Sequence, residues 1–192
     1  MNPFSIYLCG VGGQGTALLS DVIGCAVVDA GLSALVSDTH GIAQRGGLVT
    51  SHVRIGEGIK SPMIAPHQAD VVIALERLEA LRGTRGMLAH DGLLVYCDAV
   101  FQPASVRTAD APYPTVRDVA AAAVEKHARV ERIPVDGIAD PKMYNTLLLA
   151  RLIEIGVVPG LTQERIITAI AHALPNEAFQ RNKELFLSVL SR

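Results

Sequence analysis

The apolar residues of this chain follow two patterns: short continuous runs, and longer stretches in which they recur every three or four positions. A short apolar run bounded by turn residues is typical of a buried strand, whereas the longer period is typical of a helix with one face on a core. On this basis we predict strands at Ser5–Cys9, Leu32–Ser37, Leu48–Ile55, Ala69–Leu75, Gly92–Asp98 and Arg129–Pro134, and helices at Thr16–Asp29, Glu76–Leu81, Val116–His127, Lys142–Ile155, Thr162–Leu174 and Glu177–Leu190.

The predicted elements follow the order β-α-β-β-β-α-β-α-β-α-α-α, which indicates the α/β class. Strands that alternate with helices favour parallel pairing, with helices on both faces of the sheet. No repeat, low-complexity tract or linker divides the sequence. We therefore expect one doubly wound, Rossmann-like domain over residues 1–192, with a mostly parallel sheet.

Composition and charge exclude several classes of protein. The 192 residues are 49% hydrophobic, so the chain can bury a large core and still present apolar surface to a partner or, when isolated, to a second copy. A net charge of −2 lacks the basic excess of a nucleic-acid-binding protein. The sequence has no apolar run long enough for a membrane span and no secretory signal, so we expect a cytoplasmic protein without a membrane partner.

The three cysteines, Cys9, Cys25 and Cys97, are scattered along the sequence. An odd, scattered set argues against a disulfide framework and against an Fe–S cluster held by this chain alone. We expect all three to be core residues. The histidines also lack the spacing of a zinc site, so no metal is expected.

The segment from Gly10 to Gly15 contains Gly-x-Gly-x-x-Gly between a predicted strand and a predicted helix. In dinucleotide-binding proteins such glycines make a tight turn whose amides and helix end attract a phosphate. Asp38, after the second strand, could then bind a ribose hydroxyl. The same glycines also suit a turn needed only for packing or for an interface, so both interpretations stay open.

A second glycine-rich loop, His40–Gly47, has the sequence HGIAQRGG. Arg45 offers a planar fork for a carboxylate or phosphate, and His40 can titrate near neutral pH. Internal hydrogen bonds and an internal salt bridge would explain these side chains equally well. The loop should leave the carboxyl edge of the sheet beside the first glycine loop, where ligands of α/β sheets bind.

Two further patterns have plain structural explanations. His52 and Arg54 alternate along the third predicted strand and should share one solvated face. The leucines between Leu147 and Leu152 are typical of a core helix, and their number would also suit a subunit interface.

Four segments in order carry a family resemblance: GVGGQG at 10–15, HGIAQRGG at 40–47, SHVRIG at 51–56 and SPMIAPHQADVVIALERLEALR at 61–82. Together they resemble the gamma domain of the 2-oxoacid:ferredoxin oxidoreductases. The AQRGG form of the second loop is most similar to the branch containing the small (beta) subunit of indolepyruvate:ferredoxin oxidoreductase. The resemblance continues weakly through Met143-Tyr144-Asn145 and the C-terminal NEAFQRNKELF.

This resemblance implies that a 2-oxoacid is oxidatively decarboxylated to an acyl-coenzyme A on thiamine diphosphate and Mg²⁺, with electrons passing through Fe–S clusters to ferredoxin. In the family these cofactors lie in other domains or subunits, so the expected partner is a larger thiamine diphosphate/Fe–S subunit. The isolated chain should be inactive and contain no catalytic residue. The residues expected to face the active site or a ligand are Gly10, Gly12, Gly13, Gln14, Gly15, His40, Gln44, Arg45, Gly46 and Gly47, with Gln14 the only side chain of the first loop able to hydrogen-bond.

Two other classes of function remain alternatives. The first is a stand-alone Rossmann-type oxidoreductase that binds NAD or flavin at Gly10–Gly15. The second is an interaction module whose two glycine loops serve only an interface. The sequence contains no nucleophile–base pair that would favour the first alternative.

Overall fold

The computed structural model describes residues 3–39, 47–101, 113–138 and 140–191. The strands are β1 (Phe4–Val11), β2 (Ala34–Asp38), β3 (Leu48–Ile55), β4 (Ala69–Ala74), β5 (Leu88–Cys97) and β6 (Arg129–Ile133). The helices are α1 (Thr16–Asp29), α2 (Arg77–Gly86), α3 (Val116–Glu125), α4 (Tyr144–Ile155), α5 (Gln163–Ala173) and α6 (Asn176–Leu190), with a 3₁₀ turn at Pro141–Met143. The predicted order of elements and the α/β class are confirmed.

The strands form one sheet in the order β2-β3-β1-β4-β5-β6. Strands β1, β4, β5 and β6 pair in parallel, and β3 pairs antiparallel with both β1 and β2. Five strands therefore run in one direction and β3 in the other, so the mostly parallel sheet is confirmed. Strand β3 separates β2 from β1, whereas the two are neighbours in the common dinucleotide-binding order.

Helices cover the sheet on both sides, as predicted. Helices α1, α4, α5 and α6 pack on one side, around a core that includes Ile23, Leu148 and Phe186. Helices α2 and α3 pack on the other side, around Val72, Leu94 and Val119. The leucines between Leu147 and Leu152 lie in the first core and are buried.

Strand β1, helix α2 and strand β5 are longer than the sequence pattern indicates, and the last two show why. Helix α2 continues through Gly83, where a Cβ would lie 2.8 Å from the side chain of Val72, so this glycine lets the helix pack closely on the sheet. Strand β5 starts at Leu88, before the apolar run, because Leu88 pairs with Ala69 of β4. Both misjudged boundaries arise from tertiary packing.

The structure corrects two of the predictions about individual side chains. His52 does not lie on a solvated face: it is 5% exposed, its ring meets that of Tyr7 edge-on, and its Nδ1 accepts a hydrogen bond from the N–H of Ile64. Cys25 is not a core residue but is exposed on α1, whereas Cys9 and Cys97 are buried as predicted. The local residue pattern did not reveal that the segment before β4 covers His52, nor that Cys25 lies on the exposed side of α1.

Candidate functional site

Gln14, at the turn between β1 and α1, binds the backbone of its own sheet. Its Oε1 accepts a hydrogen bond from the N–H of Val11 at 2.7 Å, and its Nε2 donates to the carbonyl of Leu75 at 3.1 Å. The residue is 1% exposed. Both ends of its amide thus close the gap between the carboxyl ends of β1 and β4, and the expectation that Gln14 faces a ligand stays a prediction.

The first glycine loop meets Gly47, the last residue of the second glycine-rich segment, at one edge of the sheet. The N–H of Gly12 donates to the carbonyl of Gly47 at 2.9 Å, and Leu48 begins β3 opposite Val11. The predicted neighbourhood of the loops is thus confirmed for Gly12 and Gly47. The predicted site residues His40, Gln44, Arg45 and Gly46 lie outside the described residues.

The remaining glycines of the first loop shape its backbone. Gly10 lies in β1, where a Cβ would approach Gln14 Oε1 to 3.1 Å. Gly13 and Gly15 both have positive φ, at 96° and 83°. The surroundings of these last two differ, since a Cβ at Gly13 would meet nothing within 4 Å, whereas one at Gly15 would lie 2.6 Å from Asn145 Nδ2. The loop is therefore open to solvent at Gly13 and closely packed at Gly15.

Asn145, in the first turn of α4, hydrogen-bonds to the backbone of the glycine turn. Its Nδ2 donates to the carbonyls of Gln14 and Gly15 at 3.3 and 3.2 Å. The side chain is buried, and its Oδ1 has no hydrogen-bond partner in the described part of the chain. Next to it, the Thr146 hydroxyl donates to Asn182 of α6, so α4 connects the glycine turn to the C-terminal helix.

A cavity of about 400 Å³ opens beside the glycine turn, between α1, α4, α5 and α6. This volume lies within the range of small-molecule sites, about 300–1,000 Å³. Its lining is aliphatic in depth and polar toward the loop, where it includes Lys142, Arg181 and Asp140. Asp140 Oδ1 accepts a hydrogen bond from the backbone N–H of Lys142. The residues that line the cavity are Gly13, Gln14, Gly15, Leu18, Leu19, Val22, Asp140, Lys142, Met143, Asn145, Thr146, Leu149, Ile170, Leu174, Ala178, Arg181 and Asn182.

The polar end of this cavity favours an anion. It lies at the N-terminus of α1, where the first N–H groups of the helix and its positive dipole end point out of the helix. The exposed side chains of Lys142 and Arg181 add positive charge, and neither forms an ion pair with a carboxylate of the described residues. Together these groups could bind a phosphate or carboxylate whose apolar part enters the aliphatic end.

Asp38 is not placed to bind the ribose of a dinucleotide at the glycine turn. Asp38 lies at the end of β2, which is two strands, or about 10 Å, away from β1 in this sheet. Its Oδ1 accepts hydrogen bonds from the hydroxyls of Ser20 and Ser51, so the carboxylate ties β2 and β3 to α1. This arrangement disfavours the stand-alone NAD- or flavin-binding alternative.

A second polar cluster lies where β4 ends and α2 begins. Glu76 is fully buried and caps α2 by accepting hydrogen bonds from the N–H groups of Leu78 and Glu79, and it also accepts one from the Tyr113 hydroxyl. Burial raises the pKa of Glu76, although these hydrogen bonds oppose the shift. Burial also raises the pKa of Glu79 to about 6, against the attraction of Arg82. This cluster is internal and fixes the start of α2.

Asp98, at the end of β5, carries two ion pairs, one with Arg77 at 2.6 Å and one with Arg132 at 2.5 Å. Burial would raise the pKa of Asp98, but the hydrogen bonds and charges of the two arginines outweigh burial and lower it. Arg77 also donates to the carbonyl of Pro114. Asp98 is thus a structural anchor of the β5–β6 edge.

The described residues do not fit the redox cofactors of the family that the sequence resembles. Cys9 and Cys97 are buried in different strands and Cys25 is exposed on α1. Among the residues described here, no three histidine, cysteine, aspartate or glutamate side chains converge as metal ligands would. None of the described helices is both long and apolar enough to cross a membrane.

Sequence reasoning missed three residues of the candidate site: Lys142, Asn145 and Arg181. They lie far from both glycine loops in the sequence and reach the cavity because α4 packs against α1 and α6 packs against α4. Asn145 left a weak signal, because an amide in the first turn of a strongly apolar helix usually has a specific hydrogen-bond role. Arg181 lies in the weakly resembling segment NEAFQRNKELF, whereas Lys142 left no signal.

Comparisons with known proteins agree on one family. The family model described as pyruvate ferredoxin/flavodoxin oxidoreductase matches residues 5–191. The chain is 30% identical to the indolepyruvate oxidoreductase subunit IorB of Methanothermobacter thermautotrophicus over 188 residues, which are 95% of this chain and 94% of that protein. It is 36% identical to IorB of Archaeoglobus fulgidus over 156 residues, 81% of this chain and 76% of that one.

Solved structures share the fold. The pyruvate oxidoreductase subunit PORC of Thermotoga maritima matches all of this chain and 97% of its own, with a TM-score of 0.64 and 20% identity. The 2-oxoglutarate:ferredoxin oxidoreductase of Magnetococcus marinus, solved with 2-oxoglutarate, coenzyme A and succinyl-CoA, matches with a TM-score of 0.70 and 17% identity. In that protein the match covers all of this chain but only 31% of the longer one.

Proposed function

The chain belongs to the pyruvate ferredoxin/flavodoxin oxidoreductase family and is a subunit of a 2-oxoacid:ferredoxin oxidoreductase, and on that premise we propose that the substrate is indolepyruvate or another arylpyruvate. The observation that carries the proposal is the similarity to the Methanothermobacter IorB subunit over 95% of this chain. The product is then the corresponding aryl-acetyl-coenzyme A, formed in the cytoplasm, with ferredoxin as the electron acceptor. Residues 1–192 are the gamma-type domain of that enzyme.

The cofactors are proposed to lie in the partner subunit rather than in this chain. Thiamine diphosphate, Mg²⁺ and the clusters are proposed to belong to the larger partner subunit, and the described cysteines and carboxylates support this because they do not fit an Fe–S cluster or a metal diphosphate. The present chain contributes no catalytic residue. It supplies binding groups at the carboxyl edge of its sheet, and the isolated chain has no activity.

The rim formed by Gly10–Gly15 and His40–Gly47 faces the partner's active site. The Gly12–Gly47 hydrogen bond supports this, because it brings the two loops to one edge. His40, Gln44 and Arg45 are proposed to contact the partner's active site or an anionic ligand there. Arg45→Ala is expected to lower the activity of the assembled enzyme without unfolding the subunit, and unchanged activity relative to the exposed control Arg117→Ala would refute this role.

Coenzyme A is the anionic ligand proposed for the cavity. One of its phosphates would be held by the N-terminus of α1 with Lys142 and Arg181, and part of its less polar arm would enter the aliphatic end. The space beside Gly13 is open, so a phosphate can approach the backbone closely there. The Asp140 carboxylate at the same opening opposes an anion, and the two positive charges of Lys142 and Arg181 outnumber it.

The subunit assignment is tested by reconstitution. The purified chain and the larger subunit from the same organism are assayed separately and together with indolepyruvate, coenzyme A, thiamine diphosphate and a one-electron acceptor. Activity is expected only in the mixture, and pyruvate and 2-oxoglutarate should be poorer substrates than indolepyruvate. Oxidation of a 2-oxoacid by the isolated chain, or an active mixture that prefers pyruvate, would refute the proposal.

The coenzyme A site is tested by steady-state kinetics of the assembled enzyme. Lys142→Ala and Arg181→Ala should each raise the KM for coenzyme A about tenfold, since a charge-assisted hydrogen bond contributes about 1.5–3 kcal/mol, and should leave kcat and the KM for the 2-oxoacid nearly unchanged. The exposed residues Lys60 and Arg117, away from the cavity, provide the matched alanine controls. A KM for coenzyme A that stays the same in both cavity variants would refute this assignment.

A further inference from the structure

One half of the sheet lacks a helix on one side. Helix α2 packs over β1, β4 and β5, and α3 packs on α2 and β6. Within the described residues this leaves β2 and β3 without a helix seated on them on that side. The segment between β3 and β4 covers only part of the area, where Ile64 binds His52 and where Ser61 binds Arg54.

The uncovered area, named here the β2–β3 face, is formed by the alternating outward residues of the two strands. The strand register places Leu35 beside Arg54 and Ser37 beside His52, while Val36 and Val53 point to the opposite side. Thr39 and Thr50 continue the face through a hydrogen bond between their hydroxyls. Leu48 lies at the other end of the face. It is separated from Arg54 by about 20 Å along β3, at about 3.4 Å per residue. The β2–β3 face therefore comprises Leu35, Ser37, Thr39, Leu48, Thr50, His52 and Arg54, with Met63 at its border.

The β2–β3 face combines three partly exposed apolar side chains with polar ones, of which Thr50 and His52 are buried, and it is nearly uncharged. Leu35, Leu48 and Met63 are 38%, 48% and 53% exposed. Burial lowers the pKa of His52, which is therefore neutral at pH 7. The carboxylate of Asp38 lies on the other side with Ser20 and Ser51, so the face carries one charge, on Arg54. Partly exposed apolar side chains with a single charge among them, Leu35 beside Arg54 and Leu48 at the other end of the face, are more typical of a surface that a partner covers than of a solvated surface.

Charge argues against a second copy as the occupant. The Nη1 of Arg54 donates to the carbonyl of Ser61, and no carboxylate of the described residues pairs with Arg54. A twofold contact between two such faces would bury two arginines and bring no carboxylate to either of them, which is unfavourable. A different protein with an acidic side chain opposite Arg54 avoids this penalty.

Position argues for the larger subunit of the same enzyme. Leu48 directly follows Gly47, whose carbonyl binds Gly12, so the face and the glycine rim share one border. A partner that covers the face must also meet the rim. In the longer Magnetococcus chain the region that matches this chain is only 31% of a single polypeptide, so there the remainder is covalently attached to the same fold.

We propose that the β2–β3 face is the docking surface for the larger subunit, which covers Leu35, Leu48 and Met63 with an apolar surface and places an acidic side chain opposite Arg54. This inference rests on the proposed function, because it takes the larger subunit as the partner. It adds which face of the sheet is buried and what chemistry the partner presents.

The test measures association of the full chain with the purified larger subunit by titration calorimetry. Leu48→Asp and Leu35→Asp should each weaken binding at least tenfold, because each places a charge in an apolar contact. Val124→Asp on α3, where the side chain is 73% exposed and away from the face, should change binding less than twofold. Circular dichroism melts verify that all three variants are folded.

Arg54 provides a second, charge-specific measurement. Arg54→Gln should weaken binding and reduce its dependence on salt, whereas Arg54→Lys should keep most of that dependence. If the wild-type chain binds the larger subunit but both leucine variants bind equally well, the docking face is wrong and the proposed function stands. If the wild-type chain does not bind the larger subunit at all, the proposed function fails first. If sedimentation shows a wild-type homodimer that Leu48→Asp disrupts while heteromer assembly is unaffected, the occupant is a second copy and the proposal is overturned.

Discussion

The side-chain amide of Asn145 donates a hydrogen bond to the carbonyl of Gly15 at 3.2 Å, although the two residues are 130 positions apart in the sequence. A Cβ on residue 15 would lie only 2.6 Å from the same nitrogen. The shape of the glycine turn, and with it the N-terminus of α1, therefore depends on a residue of α4. Because the turn is already ordered, a ligand can bind its backbone amides without the cost of ordering the turn.

Gly13 and Gly15 give a matched pair of substitutions. Both have positive φ, so alanine at either position introduces backbone strain of about 1–2 kcal/mol. Only Gly15→Ala also collides with Asn145. We expect Gly15→Ala to lower the free energy of unfolding clearly more than Gly13→Ala, as measured by urea denaturation followed by circular dichroism. Equal losses would show that the Asn145 contact does not constrain the turn.

Asn145 itself can be tested with two variants. Asn145→Ala removes two hydrogen bonds and should lower the free energy of unfolding by about 1–2 kcal/mol. Asn145→Asp places a carboxylate oxygen against two carbonyl oxygens in a buried position and should destabilise the protein further. Asn176→Ala, at an exposed position, is the control. An aspartate variant as stable as the alanine variant would contradict the assigned hydrogen bonds.

Gln14 is expected to behave as a structural residue. Gln14→Leu leaves the N–H of Val11 and the carbonyl of Leu75 without their partner, and a buried unpaired polar group costs about 1–3 kcal/mol. The thermal midpoint of the isolated subunit should therefore fall, whereas Gln163→Leu at an exposed position should leave it nearly unchanged. A fully stable Gln14→Leu subunit that loses only ligand affinity would instead restore Gln14 as a binding residue.

The sequence predicted the order of elements because each helix and strand has its own local period. It could not predict that β3 lies between β1 and β2, since pairing partners are chosen by packing across the whole sheet. For the same reason it indicated the two glycine loops but not that the Gln14 amide bonds to the backbone of Val11 and Leu75. It could not place Lys142 and Arg181 beside the glycine turn, because they approach that turn from the 3₁₀ turn before α4 and from α6, far along the chain.

Glu79 makes stability depend on pH in an unusual direction. Burial raises its pKa to about 6, against the attraction of Arg82 and with added repulsion from Glu76, and the residue is 1% exposed. Because the pKa in the folded state is above that of the unfolded chain, the folded state binds the proton more tightly. Stability contributed by this group is therefore present below about pH 4.5, the ordinary range of glutamate, and is lost as pH rises through about 6.

Glu79→Gln should remove this contribution. The wild-type free energy of unfolding should carry a penalty from Glu79 of about 2 kcal/mol at pH 7.5, relative to its protonated form, since each pKa unit corresponds to about 1.4 kcal/mol. The variant should therefore gain stability relative to wild type at pH 7.5, and the gain should shrink as pH falls toward 5. Urea denaturation at several pH values measures the difference, and Glu125→Gln at an exposed position provides the control. Wild-type and Glu79→Gln curves that stay parallel from pH 7.5 to 5 would show that Glu79 does not titrate in this range.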